Sequence, residues 1–225
     1  MVHIYQRDGI YFPSVTTVIH ATIPEPERLS SWKRNNGNWK KTVKNSSTLG
    51  TMMHFRILSK VAPQPLNPPM FSLGEIPKDA THRLELCEAM WDDLGLEIGY
   101  PRKIERMIIN KEHRFAGTPD LVAPINGVYT LADLKSSKEL HESYKYQLGG
   151  YYELLECTPE RGMLISLSTD TYANPCLRAH TVVLTKDELE YYRREFLKLL
   201  DEFHSKNMIE NLIRENGTMN NHEDE

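Results

Sequence analysis

Three side chains in two short stretches carry the clearest chemistry in this sequence: Asp120 in "GTPD" (117–120), and Asp133 and Lys135 in "LADLKSS" (131–137). Residues two apart in a strand point to the same face, so Asp133 and Lys135 stand side by side. Asn126-Gly127 lies between the two stretches and reads as the two-residue turn of a hairpin. That hairpin brings Asp120 toward Asp133. Two close carboxylates raise each other's pKa unless a cation sits between them. A hard divalent ion such as Mg²⁺ or Mn²⁺, which prefers oxygen ligands, is the natural occupant. Lys135 then flanks the ion instead of simply neutralising Asp133. A plain surface ion pair is the competing reading and stabilises little. Against it, Asp133 is set between Ala132 and Leu134 in an apolar strand, where an unpaired acid is costly.

Other residues qualify by type and spacing. His54 follows Gly50 by one helical turn and precedes Leu58 by another, leaving room on one side of its ring. Glu105 sits in "IERMII" between Lys103 and Arg106; a solvated strand edge fits it as well as a place in the site. In "SYKYQLGGYYELLE", Tyr144, Gln147, Tyr151 and Leu154 share one helical face. Gly149 and Gly150 each cost that helix about 1 kcal/mol relative to Ala, which implies close approach by the sheet or by a bound strand.

The elements that must position these residues follow from periodicity and punctuation. Asp8-Gly9 turns a hairpin, and Ser14 opens a helix that Pro24 and Pro26 stop. Between Arg28 and Lys44 two short helices broken at Gly37 are predicted. A Ser-capped helix carrying Leu49, Met53, Ile57 and Val61 on one face comes next. Residues 62–78 are proline-rich and predict a loop; a helix over 79–95 follows. Strands are predicted at 102–110, 113–123 and 128–135, a helix at 141–156, and strands at 161–168 and 177–184. Thr185 with Glu188 three residues on is a capping box for the closing helix. The central order, α-β-β-β-α-β, predicts an α/β fold with a mixed sheet flanked by helices. We expect one domain over 1–210, with a helical part (14–95), a catalytic core (100–184) and a C-terminal helix (185–210). Residues 211–225 are polar and aperiodic and predict a disordered tail.

"GTPD", twelve residues, then "DLK" resembles the core signature of the PD-(D/E)XK nuclease superfamily. "QLGGY" is similar to the Q-x-x-x-Y motif of its RecB-type exonuclease branch, and "GTMMH" places His54 like the histidine that such enzymes add as a metal ligand. "FPSVTTVI" resembles the mitochondrial genome maintenance exonuclease group and its bacterial and phage relatives. The resemblance spans residues 10 to 165. It implies a restriction-endonuclease-like core in which His54, Asp120 and Asp133, with the Leu134 carbonyl as a further ligand, hold one or two Mg²⁺ or Mn²⁺ ions. Lys135 is then the residue that positions or deprotonates water, and Glu105 supports a second ion or orients water. Gln147, Tyr151, Tyr144 and Ser136 are expected against the DNA backbone. Lys33, Arg34, Lys40 and Lys41 are interleaved with Trp32 and Trp39, the mixture that single-strand binders use. The charges are expected to contact DNA, while the tryptophans fit a core role equally well. The implied activity is a metal-dependent DNA exonuclease acting on single-stranded ends. Alternatives are a structure-specific endonuclease and a non-catalytic DNA-binding protein that keeps the nuclease fold.

Bulk properties narrow the classes. The 225 residues, 40% hydrophobic and 26% charged, suit an ordinary soluble domain with a real core. The net charge of -4 excludes a uniformly basic coat, though not a local basic groove. Three cysteines at wide spacing argue against a zinc site and a disulfide framework, and are one short of the four an iron-sulfur cluster needs. No stretch approaches a membrane span, and no signal peptide or organelle leader is seen. A cytoplasmic location, in a bacterial cell or phage-infected host, is the expectation.

Overall fold

The computed structural model describes residues 2–71, 76–169 and 179–216. A hairpin of β1 (Ile4–Arg7) and β2 (Ile10–Pro13) turns through Asp8 and Gly9 at φ 54° and 74°. Both signs suit the mirror-image turn that two-residue hairpins prefer. Ser14 caps α1 (Val15–Thr22), its hydroxyl accepting from the Thr17 N–H. Then come α2 (Glu27–Asn35), α3 (Trp39–Val61) and α4 (Ala80–Asp93). The break expected before the Ser-capped helix does not occur, and α3 runs unbroken for 23 residues. No Gly or Pro interrupts residues 39–49, and Ser46 and Ser47 lie exposed on the helix surface instead of capping it.

The first two central strands each divide in two. β3 (Lys103–Ile104) and β6 (Leu121–Ile125) pair in the main sheet, while β4 (Ile108–Asn110) and β5 (Phe115–Gly117) form a separate ribbon. Glu105 at φ 41° turns the chain on one side of the break, and Pro119, which has no N–H to donate, interrupts the other. β7 (Val128–Lys135) follows an Asn126-Gly127 turn. α5 (Glu142–Glu153) crosses over to β8 (Arg161–Ser166), which lies parallel to β7, and β9 (His180–Thr185) closes the sheet. The order β3-β6-β7-β8-β9 makes a five-stranded mixed sheet. The first residues of the predicted last strand, 177 and 178, lie outside the described residues. Thr185 and Glu188 form the reciprocal capping box at the start of α6 (Lys186–Ser205). A further helix, α7 (Met208–Asn216), corrects the predicted tail, because 211–216 are helical; Met208, Ile209 and Leu212 pack on the core. Residues 217–225 lie outside the described residues.

Period-two alternation along β7 divides the interior into two cores. Leu131 joins Val15, Leu148, Tyr151 and Phe196 on the α1, α5 and α6 face. Ala132 and Leu134 join Leu49, Met53, Leu84 and Trp91 on the α3 and α4 face. Helices therefore cover both faces of the sheet, an α/β architecture. No helix among the described residues is long and apolar enough to cross a membrane.

The two glycines of α5 answer to neighbouring helices, neither to the sheet nor to DNA. A Cβ on Gly149 would lie 2.3 Å from the Tyr192 carbonyl carbon and 2.4 Å from its oxygen, both on α6. A Cβ on Gly150 would lie 2.7 Å from Val15 of α1. Gly149→Ala must push two helices apart and is expected to cost roughly 1–3 kcal/mol or more. Gly37→Ala, with nothing within 4 Å of its added Cβ, should stay within about 0.5 kcal/mol of wild type. Paired urea denaturation curves check this contrast, and equal midpoints would refute it.

Candidate active site

The site begins where β6 stops short. Leu121 pairs with Ala132 at the last register position the two strands share, and β7 runs on to Lys135 with only β8 beside it. Leu134 therefore has a backbone N–H and C=O facing the side that β6 has left. Buried backbone groups need partners, and here side chains supply them. The Leu134 N–H donates to Asp120 Oδ2 at 2.7 Å, and its carbonyl lies 2.9 Å from His54 Nε2. The backbone of one residue thus holds an acid from the loop before β6 and a histidine from α3.

With Nε2–H committed to Leu134, the neutral imidazole presents the lone pair of Nδ1 to the site. Nδ1 lies 3.4 Å from Asp120 Oδ1 and 3.8 Å from Glu105 Oε1. Ligand atoms of His54, Glu105 and Asp120 all fall within 4.8 Å of one another. One imidazole nitrogen and two carboxylate oxygens form a donor set that fits a divalent cation. Glu105 enters because its backbone bends: it sits at φ 41°, and its N–H donates to the Asp120 carbonyl at 3.1 Å. The sequence reading put Asp133 and the Leu134 carbonyl in the ligand set. Asp133 is not among these three, and the Leu134 carbonyl, 2.9 Å from His54 Nε2, keeps a second lone pair.

Asp133 and Lys135 project from β7 toward α5. Lys135 Nζ is 2.6 Å from Asp133 Oδ2, yet that oxygen is buried without an aligned hydrogen bond. The ammonium donates instead to Gln147 Oε1 at 2.9 Å and lies 4.6 Å from the centre of the Tyr144 ring. Gln147 Nε2 donates to Asp133 Oδ1 at 3.2 Å and to Tyr151 Oη at 2.9 Å.

Charge separates the two aspartates. Burial, with the Asp120 charge adding to it against Lys135, pushes the Asp133 carboxyl up to about 6. Burial works the same way on Asp120, but the His54 ring, Lys135 and the Leu134 N–H outweigh it and hold that carboxyl below its ordinary value. The His54 ring is raised because Asp120 more than offsets its burial, and Glu105 is raised by burial. Lys135 is raised because Asp133 and Asp120 overcome the burial that disfavours its charge.

The other predicted contacts are dispersed around this centre. Ser136 packs on α3 where Gly50 has no side chain, its hydroxyl 3.2 Å from the position of a Cβ there. Gln147 and Tyr151, expected against DNA, are buried beneath the site instead, at 8% and 6% exposure. Tyr144 is half-buried, its hydroxyl 3.1 Å from Ser137 Oγ. Lys33 pairs with Glu25, and Arg34 with Glu27 at 2.5 Å. The Lys33 and Lys40 ammoniums stand 5.2 and 5.8 Å from the Trp39 ring, and Lys41 is exposed. None of residues 27–47 is buried, and they hold six Lys or Arg against one acid, Glu27. Arg28 of α2 lies 3.8 Å from Glu139, which places part of this basic stretch beside the loop that follows β7. Trp32 and Trp39 therefore lie on that stretch, while Trp91 alone of the three fills a core.

No protein-family model matches the chain, nor does any curated protein. Among solved structures it is similar to SSO0001, at 17% identity and a TM-score of 0.29 over 53% of this chain and 58% of that one. It is also similar to the alkaline exonuclease LHK-Exo from Laribacter hongkongensis, at 11% identity and a TM-score of 0.33 over 57% and 72% of the two chains. LHK-Exo in complex with dAMP gives 12% identity and a TM-score of 0.37 over 76% and 96%. Each match covers only part of this chain.

In the metal-free protein the Asp133 carboxyl should titrate near pH 6, as followed by carboxyl-carbon NMR. Its folded value lies above the unfolded value of about 3.9. Its contribution to stability is then complete below the unfolded value and lost as pH rises through about 6. Titration at the ordinary aspartate value would contradict the buried environment described here.

Proposed function

We propose that this chain is a divalent-metal-dependent DNA nuclease, and more narrowly an exonuclease acting on single-stranded ends. The observation that carries the reading is the His54, Glu105 and Asp120 cluster set against the buried Asp133–Lys135 pair at the open end of the sheet. The match of "GTPD", "DLK" and "QLGGY" to the nuclease signature supports it. His54 Nδ1, Glu105 and Asp120 would hold the cation, and Asp133 Oδ2 is the adjoining buried oxygen still in want of a hydrogen bond. When bound, the ion supplies Lewis acidity toward the scissile phosphate and activates water. Lys135, kept charged by two acids, donates a proton-bearing contact to water or to phosphate oxygens and stabilises the charge that builds there. It is a donor and not a base. The exposed basic stretch of α2 and the start of α3 attracts the phosphate backbone beside this centre.

Asp120→Ala, Asp133→Ala and Lys135→Ala should each lower the cleavage rate at least ~100-fold while the chain stays folded and still binds DNA. EDTA should stop cleavage, and titration calorimetry should show that Mn²⁺ binding is abolished in His54→Ala. Closed circular single-stranded DNA should survive, and its digestion would favour the endonuclease alternative. Full activity in Asp120→Ala or in EDTA would sink the reading. For the basic stretch, the Lys40→Ala, Lys41→Ala double variant should reduce the salt slope of single-strand binding by about 1.4, at roughly 0.7 for each phosphate no longer neutralised. An unchanged slope would remove those lysines from the interface.

A further inference from the structure

We infer that Gln147 and Tyr151 are positioning residues for Lys135 and do not contact the nucleic acid. This deepens the nuclease reading and rests on it. An ammonium has hydrogens to give and no lone pair, so the Gln147 atom 2.9 Å from Lys135 Nζ must be the amide oxygen. The amide nitrogen then faces the other way with two hydrogens. They have two acceptors, Asp133 Oδ1 at 3.2 Å and Tyr151 Oη at 2.9 Å. Turning the amide over would set its NH₂ against the ammonium and its oxygen against the Asp133 carboxylate. Its orientation is determined, and neither amide hydrogen is left for a phosphate. At 8% exposure the side chain also presents almost no surface to a bound strand.

What Gln147 does to Lys135 is visible in the adjoining contacts. Lys135 has a long flexible stem, and its attraction to Asp133 Oδ2 at 2.6 Å comes without an aligned hydrogen bond. The carboxylate attracts the ammonium, but Gln147 directs it, with the Tyr144 ring 4.6 Å away on a further side. Gln147 can direct it only if its own backbone is held. Gly149, two residues on, brings α5 against the Tyr192 carbonyl of α6, so the height of Gln147 over the sheet is set by helix packing. Tyr151, one turn further along α5, takes the remaining amide hydrogen and fixes the amide plane. The chain of support runs from α6 to Gly149, to Gln147, to Lys135.

Two measurements on the full-length chain test this. In the metal-free protein, the side-chain N–H signals of Gln147 in ¹H–¹⁵N NMR should be protected from solvent exchange. Lys135→Met should shift them. Unprotected signals that ignore Lys135→Met overturn the inference, whether or not the protein cleaves DNA. In single-strand cleavage with Mn²⁺, Gln147→Met keeps the length and removes the hydrogen bonds. It should lower kcat about 100-fold, the cost of a misplaced catalytic group, with KM and Kd for the oligonucleotide within about twofold. Tyr151→Phe, the milder change should Gln147→Met fail to fold, should lower kcat about three- to tenfold with KM unmoved. A rise in KM or Kd with kcat intact in either variant makes these residues DNA contacts and overturns the inference. A wild-type chain that cleaves no DNA with Mg²⁺ or Mn²⁺ overturns the nuclease reading instead, and the NMR result separates the two failures.

Discussion

The backbone of Leu134 is the constraint on which the site depends. Its N–H orients Asp120 and its carbonyl orients His54, so two candidate ligands from distant parts of the sequence are set by the two planar peptide groups that flank one strand residue. A neighbouring strand would normally occupy both backbone groups. They are available because β6 begins only after Pro119 and Asp120, leaving the end of β7 without a partner on that side. The truncation of one strand and the construction of the site are therefore the same event. Backbone groups move less than side chains, and a site referenced to the backbone of a central strand inherits the stiffness of the sheet.

Two layers converge on that strand end. From one face α3 brings His54; from the other α5 brings Gln147 under Lys135. Leu134 turns its side chain into the α3 and α4 core, while Asp133 belongs to the opposite face. The alternation that separates apolar from polar residues along β7 thus also separates the environments of the two aspartates. Asp120, beside a histidine and a backbone donor, keeps its charge. Asp133, fully buried, has its protonated form favoured despite Lys135. Two like residues acquire different acidities from different sides of one sheet.

Much of this arrangement was legible in the residues. Period-two alternation and the Asn-Gly turn foretold that Asp120 approaches Asp133 and Lys135, and the spacing of Gly50, His54 and Leu58 foretold room on one side of the His54 ring. The mixed sheet flanked by helices also followed from the order of patterns. What could not be read depends on local backbone geometry and on relative height. Glu105 joins His54 and Asp120 because its φ is positive, and no side-chain pattern announces a bend at a glutamate. Gln147 and Tyr151 lie on the predicted face of α5, but periodicity does not say whether a polar residue there reaches outward or closes a hydrogen-bond circuit within. The twin glycines signalled a close approach correctly, while the identity of the neighbour, α6, required knowing how the last helix packs. Pro119 lies inside the strand predicted over 113–123, and the splitting of that strand between two sheets depends on the register of the partner strands.

The exposed stretch of α2 and the start of α3 carries a local charge that the total conceals. Residues 27–47 carry six basic groups and one acid, a net of +5, within a chain whose net is -4, so the remainder carries -9. On the proposed nuclease reading, a nucleic acid strand would be attracted to this basic stretch and would meet it beside the loop after β7, where Arg28 lies against Glu139. That attraction would act before contact forms and would be strongest at low ionic strength.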